Sequence, residues 1–94
     1  MRRMQVLSSP HNYMNMTFGA DVENRGGVLL NCEWDGGRFV SGVFMGGIMR
    51  SGEFVGGIFL GGIFWGGFWR GGMWEGGFDR DGIYHPRGDD PSCW

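Results

Sequence analysis

From Leu29 to Tyr84 a large apolar residue returns at every fifth position, preceded two places earlier by glycine in all units but one. The frame is Gly-x-large-x-small. Its third slot holds Leu29, Trp34, Phe39, Phe44, Met49, Phe54, Phe59, Phe64, Trp69, Trp74, Asp79 and Tyr84. Asp79 is the one polar residue in that slot, and Cys32 is the one residue other than glycine in the first. Five fits no continuous element. On a helix five steps of about 100° carry the aromatics around the cylinder. In an unbroken strand an odd period sends successive aromatics to opposite faces. The chain must therefore turn or reverse in every unit, and the dipeptides between units are Gly36-Gly37, Ser41-Gly42, Gly46-Gly47 and their like. Such pairs suit primed hairpin turns, where glycine reaches positive φ cheaply. Each unit is read as a three-residue strand followed by a two-residue turn.

Two all-β architectures satisfy the pattern. One is an antiparallel meander of very short strands with every third-slot side chain on one face. The runs Phe39-Val40-Ser41-Gly42-Val43-Phe44 and Met49-Arg50-Ser51-Gly52-Glu53-Phe54 match an aromatic-x-polar-Gly-x-aromatic hairpin core. In them the sequence resembles MORN-type repeats over about residues 27–86, with a shorter period than that family has. The other is a quadrilateral β-solenoid of about three coils, four units to the coil, which resembles pentapeptide-repeat proteins. There a small and a bulky residue two apart both point inward, and Cys32 suits that arrangement as a small buried thiol. Residues 1–26 are expected to cap the array, 27–86 to form it, and 87–94 to be a tail.

Composition narrows the function classes. Ninety-four residues make one domain. The 21 glycines oppose folding, and stacked neighbours and capped ends must offset them. A net charge of −2 and a pI near 5.5 provide no field for nucleic acid or anionic membrane. The basic residues are all arginine, suited to bidentate and stacking contacts. Two cysteines at 32 and 93 make no disulfide framework. The uncharged run Phe54–Trp69 is shorter than the roughly 20 residues a spanning helix needs, and the pentad runs through it, so no transmembrane span is expected. With no signal peptide visible at the start, the expected location is the cytoplasm.

Motifs for chemistry are sparse. A phosphate-binding P-loop needs lysine, which the chain lacks. The glycine pairs have no βαβ context for a dinucleotide fingerprint. His11, His85, Cys32 and Cys93 include nucleophile, base and zinc-ligand types, but no nucleophile elbow or close ligand pair surrounds them. Asp79-Arg80-Asp81-Gly82 begins like a calcium loop without the later ligands and reads as a turn. Arg87-Gly88-Asp89 reads as tail chemistry. No enzyme activity, cofactor or metal is expected.

The slots flanking the aromatics point away from the core, where a solvated face should be polar. Ile58, Leu60, Ile63, Trp65, Phe68, Met73 and Phe78 are apolar there, bordered by Arg50, Arg70 and Arg80. An apolar patch rimmed by charge marks an interface, and Trp, Phe, Met and Arg are enriched at such places. These ten residues are the expected partner-binding surface. The leading expectation is a non-enzymatic interaction module that binds a protein partner or a second copy. Its size and style suit accessory or inhibitory proteins of the sort phages and mobile elements encode. The alternative is binding of nucleic acid or membrane lipid through arginines beside aromatics. MORN-type proteins are often linked to membrane lipids, but the acidic balance argues against both.

Overall fold

The computed structural model describes residues 5–9 and 11–94. It is all-β apart from one 3-10 turn, Pro91–Cys93. The strands are β1 Gln5–Ser8, β2 Asn12–Met14, β3 Thr17–Phe18, β4 Val22–Leu30, β5 Glu33–Met45, β6 Ile48–Phe54, β7 Ile58–Phe64, β8 Phe68–Trp69, β9 Met73–Asp79 and β10 Tyr84–His85. Every pairing from β1 to β9 is parallel, and only β10 returns antiparallel to β9. Val28 lies opposite Val43, Val43 opposite Ile58 and Ile58 opposite Met73. Phe39 likewise lies opposite Phe54, and Phe54 opposite Trp69.

Partners are thus fifteen residues apart, which is three pentads. The chain winds as a three-sided β-solenoid of about five turns, within an envelope of 38 × 25 × 22 Å. The antiparallel meander is therefore corrected to a parallel ladder, and the quadrilateral coil of four units to a triangular coil of three. The glycine pairs are corners that carry the chain onto the next side, not hairpins that reverse it.

The third slot fills the axis in three columns. One runs Leu7, Asn24, Phe39, Phe54, Trp69; the second Tyr13, Leu29, Phe44, Phe59, Trp74; the third Phe18, Trp34, Met49, Phe64, Asp79. Within a column rings stack: Phe39 on Phe54 at 4.7 Å, Phe54 on Trp69 at 4.5 Å, Phe44 on Phe59 at 5.0 Å and Phe59 on Trp74 at 4.6 Å. These separations match the spacing of adjacent strands, so one ring fits each layer. Between columns the rings meet edge to face, as Phe54 meets Phe59 at 5.8 Å and Phe59 meets Phe64 at 6.0 Å. Phe59, Phe64 and Trp69, one from each column, touch one another at 6.0–6.3 Å and fill the triangle closely. The buried indole N–H of Trp34 donates to the Gly37 carbonyl at 2.9 Å, so tryptophan fits this narrow axis without an orphaned donor.

The first slot is glycine because coils touch there. A Cβ on Gly62 would stand 2.5 Å from the carbonyl oxygen of Gly47, its equivalent one coil below. Gly67 combines the same approach to Gly52 at 2.6 Å with φ of 106°. Cys32 occupies this slot on the less regular first coils, where pairs lie sixteen or seventeen apart, as in Asn12 with Val28 and Gln5 with Val22. Its thiol is buried and donates to the Tyr13 carbonyl at 3.3 Å. Asn24 is buried in the first column. Its Nδ2 donates to the Gly27 carbonyl at 3.0 Å, and its Oδ1 accepts from the Gly27 amide at 2.9 Å.

The ends differ from the middle. In the N-terminal segment expected as a cap, β1, β2 and β3 add the first coil's ladder and core positions; residues 1–4 and 10 of that segment lie outside the described residues. At the other end the Asp79 carboxylate accepts from the amides of Asp81 and Ile83, turning the chain into β10, and the tail folds back. Trp94 then meets Trp74 edge to face at 5.3 Å and Phe64 at 6.1 Å, covering the ends of the second column and of the aromatic part of the third.

Candidate functional site

A triangular winding sorts the outward slots by every third pentad, so each side of the prism has its own composition. The first side carries Glu23, Arg25, Arg38, Val40, Glu53, Val55, Phe68 and Arg70. It is laced by ion pairs: Arg25 with Glu23 at 3.0 Å, Arg38 with Glu23 at 3.6 Å and Arg70 with Glu53 at 3.3 Å. The third side carries Glu33, Asp35, Ile48, Arg50, Ile63, Trp65, Phe78 and Arg80. Arg50 pairs with Glu33 there at 3.7 Å, and Ser51 donates to Asp35 at 3.1 Å.

The second side is different. Along one row stand Asn12, Val28, Val43, Ile58 and Met73, and along the other Met14, Leu30, Met45 and Leu60. No charge interrupts either row until Glu75, which pairs with Arg87 at 3.2 Å beyond the last coil. Met14, Leu60 and Met73 are 60%, 37% and 51% exposed, and the valines between them are half-buried by their neighbours. Five strands at about 4.8 Å and three residues at about 3.3 Å make a nearly flat surface of about 24 Å by 10 Å. Parallel sheets are ordinarily covered on both faces, and among the described residues nothing covers the outer face of this one.

At the C-terminal end a cleft of about 260 Å³ opens beside β8. Trp65, Phe68 and Trp69 form one wall, Arg80 and Asp79 another, and Pro91, Ser92 and Trp94 of the tail the third. The Arg80 guanidinium lies 4.5 Å from the centre of the Trp65 ring. The tail is held by His85: Nε2 is 2.8 Å from Asp79 Oδ2 and Nδ1 is 2.8 Å from Asp89 Oδ2. Its ring stacks on Trp94 at 4.0 Å. An ionised carboxylate only accepts, so the two contacts are both satisfied when the imidazole is protonated and both ring nitrogens donate. Those two hydrogen bonds, that to Asp79 foremost, raise the pKa of His85 above its ordinary 6.5. The bond from His85, with the backbone amide of Ile83, lowers that of Asp79.

The ten residues expected to form one partner surface are divided among the sides. Ile58, Leu60 and Met73 fall on the second, Arg50, Ile63, Trp65, Phe78 and Arg80 on the third, and Phe68 and Arg70 on the first. Trp65, Phe68 and Arg80 come together again across a corner, at the cleft. Val28, Leu30, Val43, Met45 and Met14 complete the bare side and were not among the expected ten. Reading the flanking slots of every third pentad brings out four of them; Met14 lies before the regular frame starts. His11 sits in the first coil beside Tyr13, and His85 closes the opposite end. Among the described residues no three His, Cys, Asp or Glu side chains gather as metal ligands would, and no helix is long and apolar enough to cross a membrane.

No family model, curated protein or solved structure matches the chain. Its class is therefore defined by its own geometry: a parallel, three-sided β-solenoid built from aromatic pentads. The parallel ladder is consistent with the pentapeptide-like reading of the sequence and not with MORN-type hairpins.

Proposed function

We propose that the protein is a non-enzymatic interaction module that docks through the second side of its prism, onto a second copy or a protein partner. The observation that carries this reading is the contrast among the three sides: the first holds three ion pairs and the third one, while the second carries no charge from Met14 and Val28 through Leu60 and Met73. Contiguous apolar patches larger than a few hundred Å² are rare on soluble monomers, and this face, at about 24 Å by 10 Å, approaches that size. A flat apolar face is also self-complementary under two-fold symmetry, which makes a second copy the simplest occupant.

The side is small against the roughly 1,200–2,000 Å² that stable interfaces bury, so the association is weak and rises with concentration. Sedimentation equilibrium over a wide concentration range tests it. The wild type should climb from 10.5 kDa towards twice that mass, and Leu60→Glu, which leaves the axis untouched, should stay monomeric. Val55→Glu on the charged side should associate like the wild type. A Leu60→Glu protein that self-associates unchanged would rule out docking through this side.

A further inference from the structure

The cleft beside β8 carries an inference beyond docking through the apolar side. β8 pairs with β6 on one edge, and among the described residues no strand pairs with the other. The pentad following Trp69 by fifteen residues is Gly82–Pro86, with Tyr84 in its third slot. Continued winding would lay Ile83-Tyr84-His85 over Phe68-Trp69-Arg70 and seat Tyr84 on Trp69. The chain does otherwise. It turns at Asp79, and Tyr84 pairs with Phe78 in an antiparallel bridge, their rings 5.4 Å apart. The sixth layer of the first side is therefore started by sequence and left open by the fold. Ile83 and Tyr84 are 59% and 56% exposed on the turn.

Around that open layer the chemistry is specific. Phe68 is 66% exposed and Trp65 42%. Trp69 ends the stack of Phe39 and Phe54, and it lines the cleft. At about 260 Å³ the cleft exceeds the roughly 150 Å³ that suffices for a benzene ring. Arg80, at the end of the cleft that an incoming parallel strand would enter first, contacts Trp65 and pairs with no carboxylate among the described residues. The lining carboxylate, Asp79, is already held by His85.

We propose that the free edge of β8 and this cleft accept an extended peptide from a partner as a sixth, parallel strand. The peptide carries an aromatic residue that stacks on Trp69 and an acidic residue just before it that meets Arg80. Backbone hydrogen bonds to the β8 edge provide general affinity and the two side chains provide selectivity, as in other strand-addition sites.

The test uses the full chain and the acetylated, amidated peptide Gly-Glu-Phe-Val-Gly, which copies residues 52–56. Tryptophan fluorescence should saturate on titration, and the amide resonances of Gly67 and Phe68 should shift. Alanine at the aromatic position should weaken binding at least about tenfold, as loss of an anchor does. Methylating the peptide's amide nitrogens should abolish it. Arg80→Gln, a surface change, should cost about three- to tenfold, and the loss should vanish for a peptide with glutamine in place of glutamate. Leu60→Glu should bind the peptide like the wild type, separating this site from the apolar side. No saturation at millimolar peptide, or binding indifferent to both the aromatic residue and Arg80, would overturn the proposal.

Discussion

At the scale of single residues, two slots of the pentad hold the structure. Phe59 is the most connected ring: it stacks on Phe44 and Trp74 and meets Phe54, Phe64 and Trp69 edge to face. Phe59→Ala leaves a cavity in the middle of the axis and is expected to cost about 3–5 kcal/mol in chemical denaturation. For a chain this short that is a large share of net stability. The glycine slot is as demanding for the opposite reason. Gly62→Ala puts a methyl group against the Gly47 carbonyl, and no side chain can move aside to relieve it. The expected loss exceeds about 1 kcal/mol, whereas Gly61→Ala meets no neighbouring atom and carries only the strain of its φ of 74°. The sequence displayed both slots plainly. It did not display that the glycines serve coil-to-coil contact, because Gly-Gly and Ser-Gly serve hairpins equally well, and only the neighbour fifteen residues away distinguishes the two.

At the scale of elements, the corners and the clasp decide the shape. A three-residue strand with a two-residue corner is the same local unit in a meander, a square coil or a triangle, so the pentad left the number of sides open. What closes the coil at three is the volume of the aromatics, a property of packing across units. The Asp79–His85–Asp89 clasp was illegible for a similar reason. Asp79 stood out as the polar residue in an apolar slot, but its partners come from β10 and the tail. The clasp should give stability a pH profile. His85 is raised, so its contribution is complete below about 6.5 and fades as pH rises through the raised value. Asp79 is lowered, so its contribution is complete above about 3.8 and fades as pH falls through the lowered value. Melting curves should therefore show the clasp strongest between those limits. His85→Gln should be less stable than the wild type within that window, and the gap should narrow at alkaline pH. A constant gap across pH would contradict an imidazolium clasp.

At the scale of the whole molecule, a period of three pentads turns a repetitive sequence into a prism with three unlike sides. One side can be apolar while the chain alternates charged and apolar pentads, which is why its surface reads as scattered in linear order and coherent in space. The expected patch at residues 58–80 therefore mixed the end of the second side with residues of the third side and with the cleft where the third side meets the first. Both the proposed docking side and the proposed strand-accepting cleft depend on this winding. The most direct test is the pattern of inter-strand nuclear Overhauser effects on the isotope-labelled protein. Parallel contacts should link the backbones of Val28, Val43, Ile58 and Met73 in series, and those of Phe39, Phe54 and Trp69. Close Hα–Hα contacts between adjacent pentads, or contacts linking residues twenty apart, would contradict the three-sided coil and the apolar side with it.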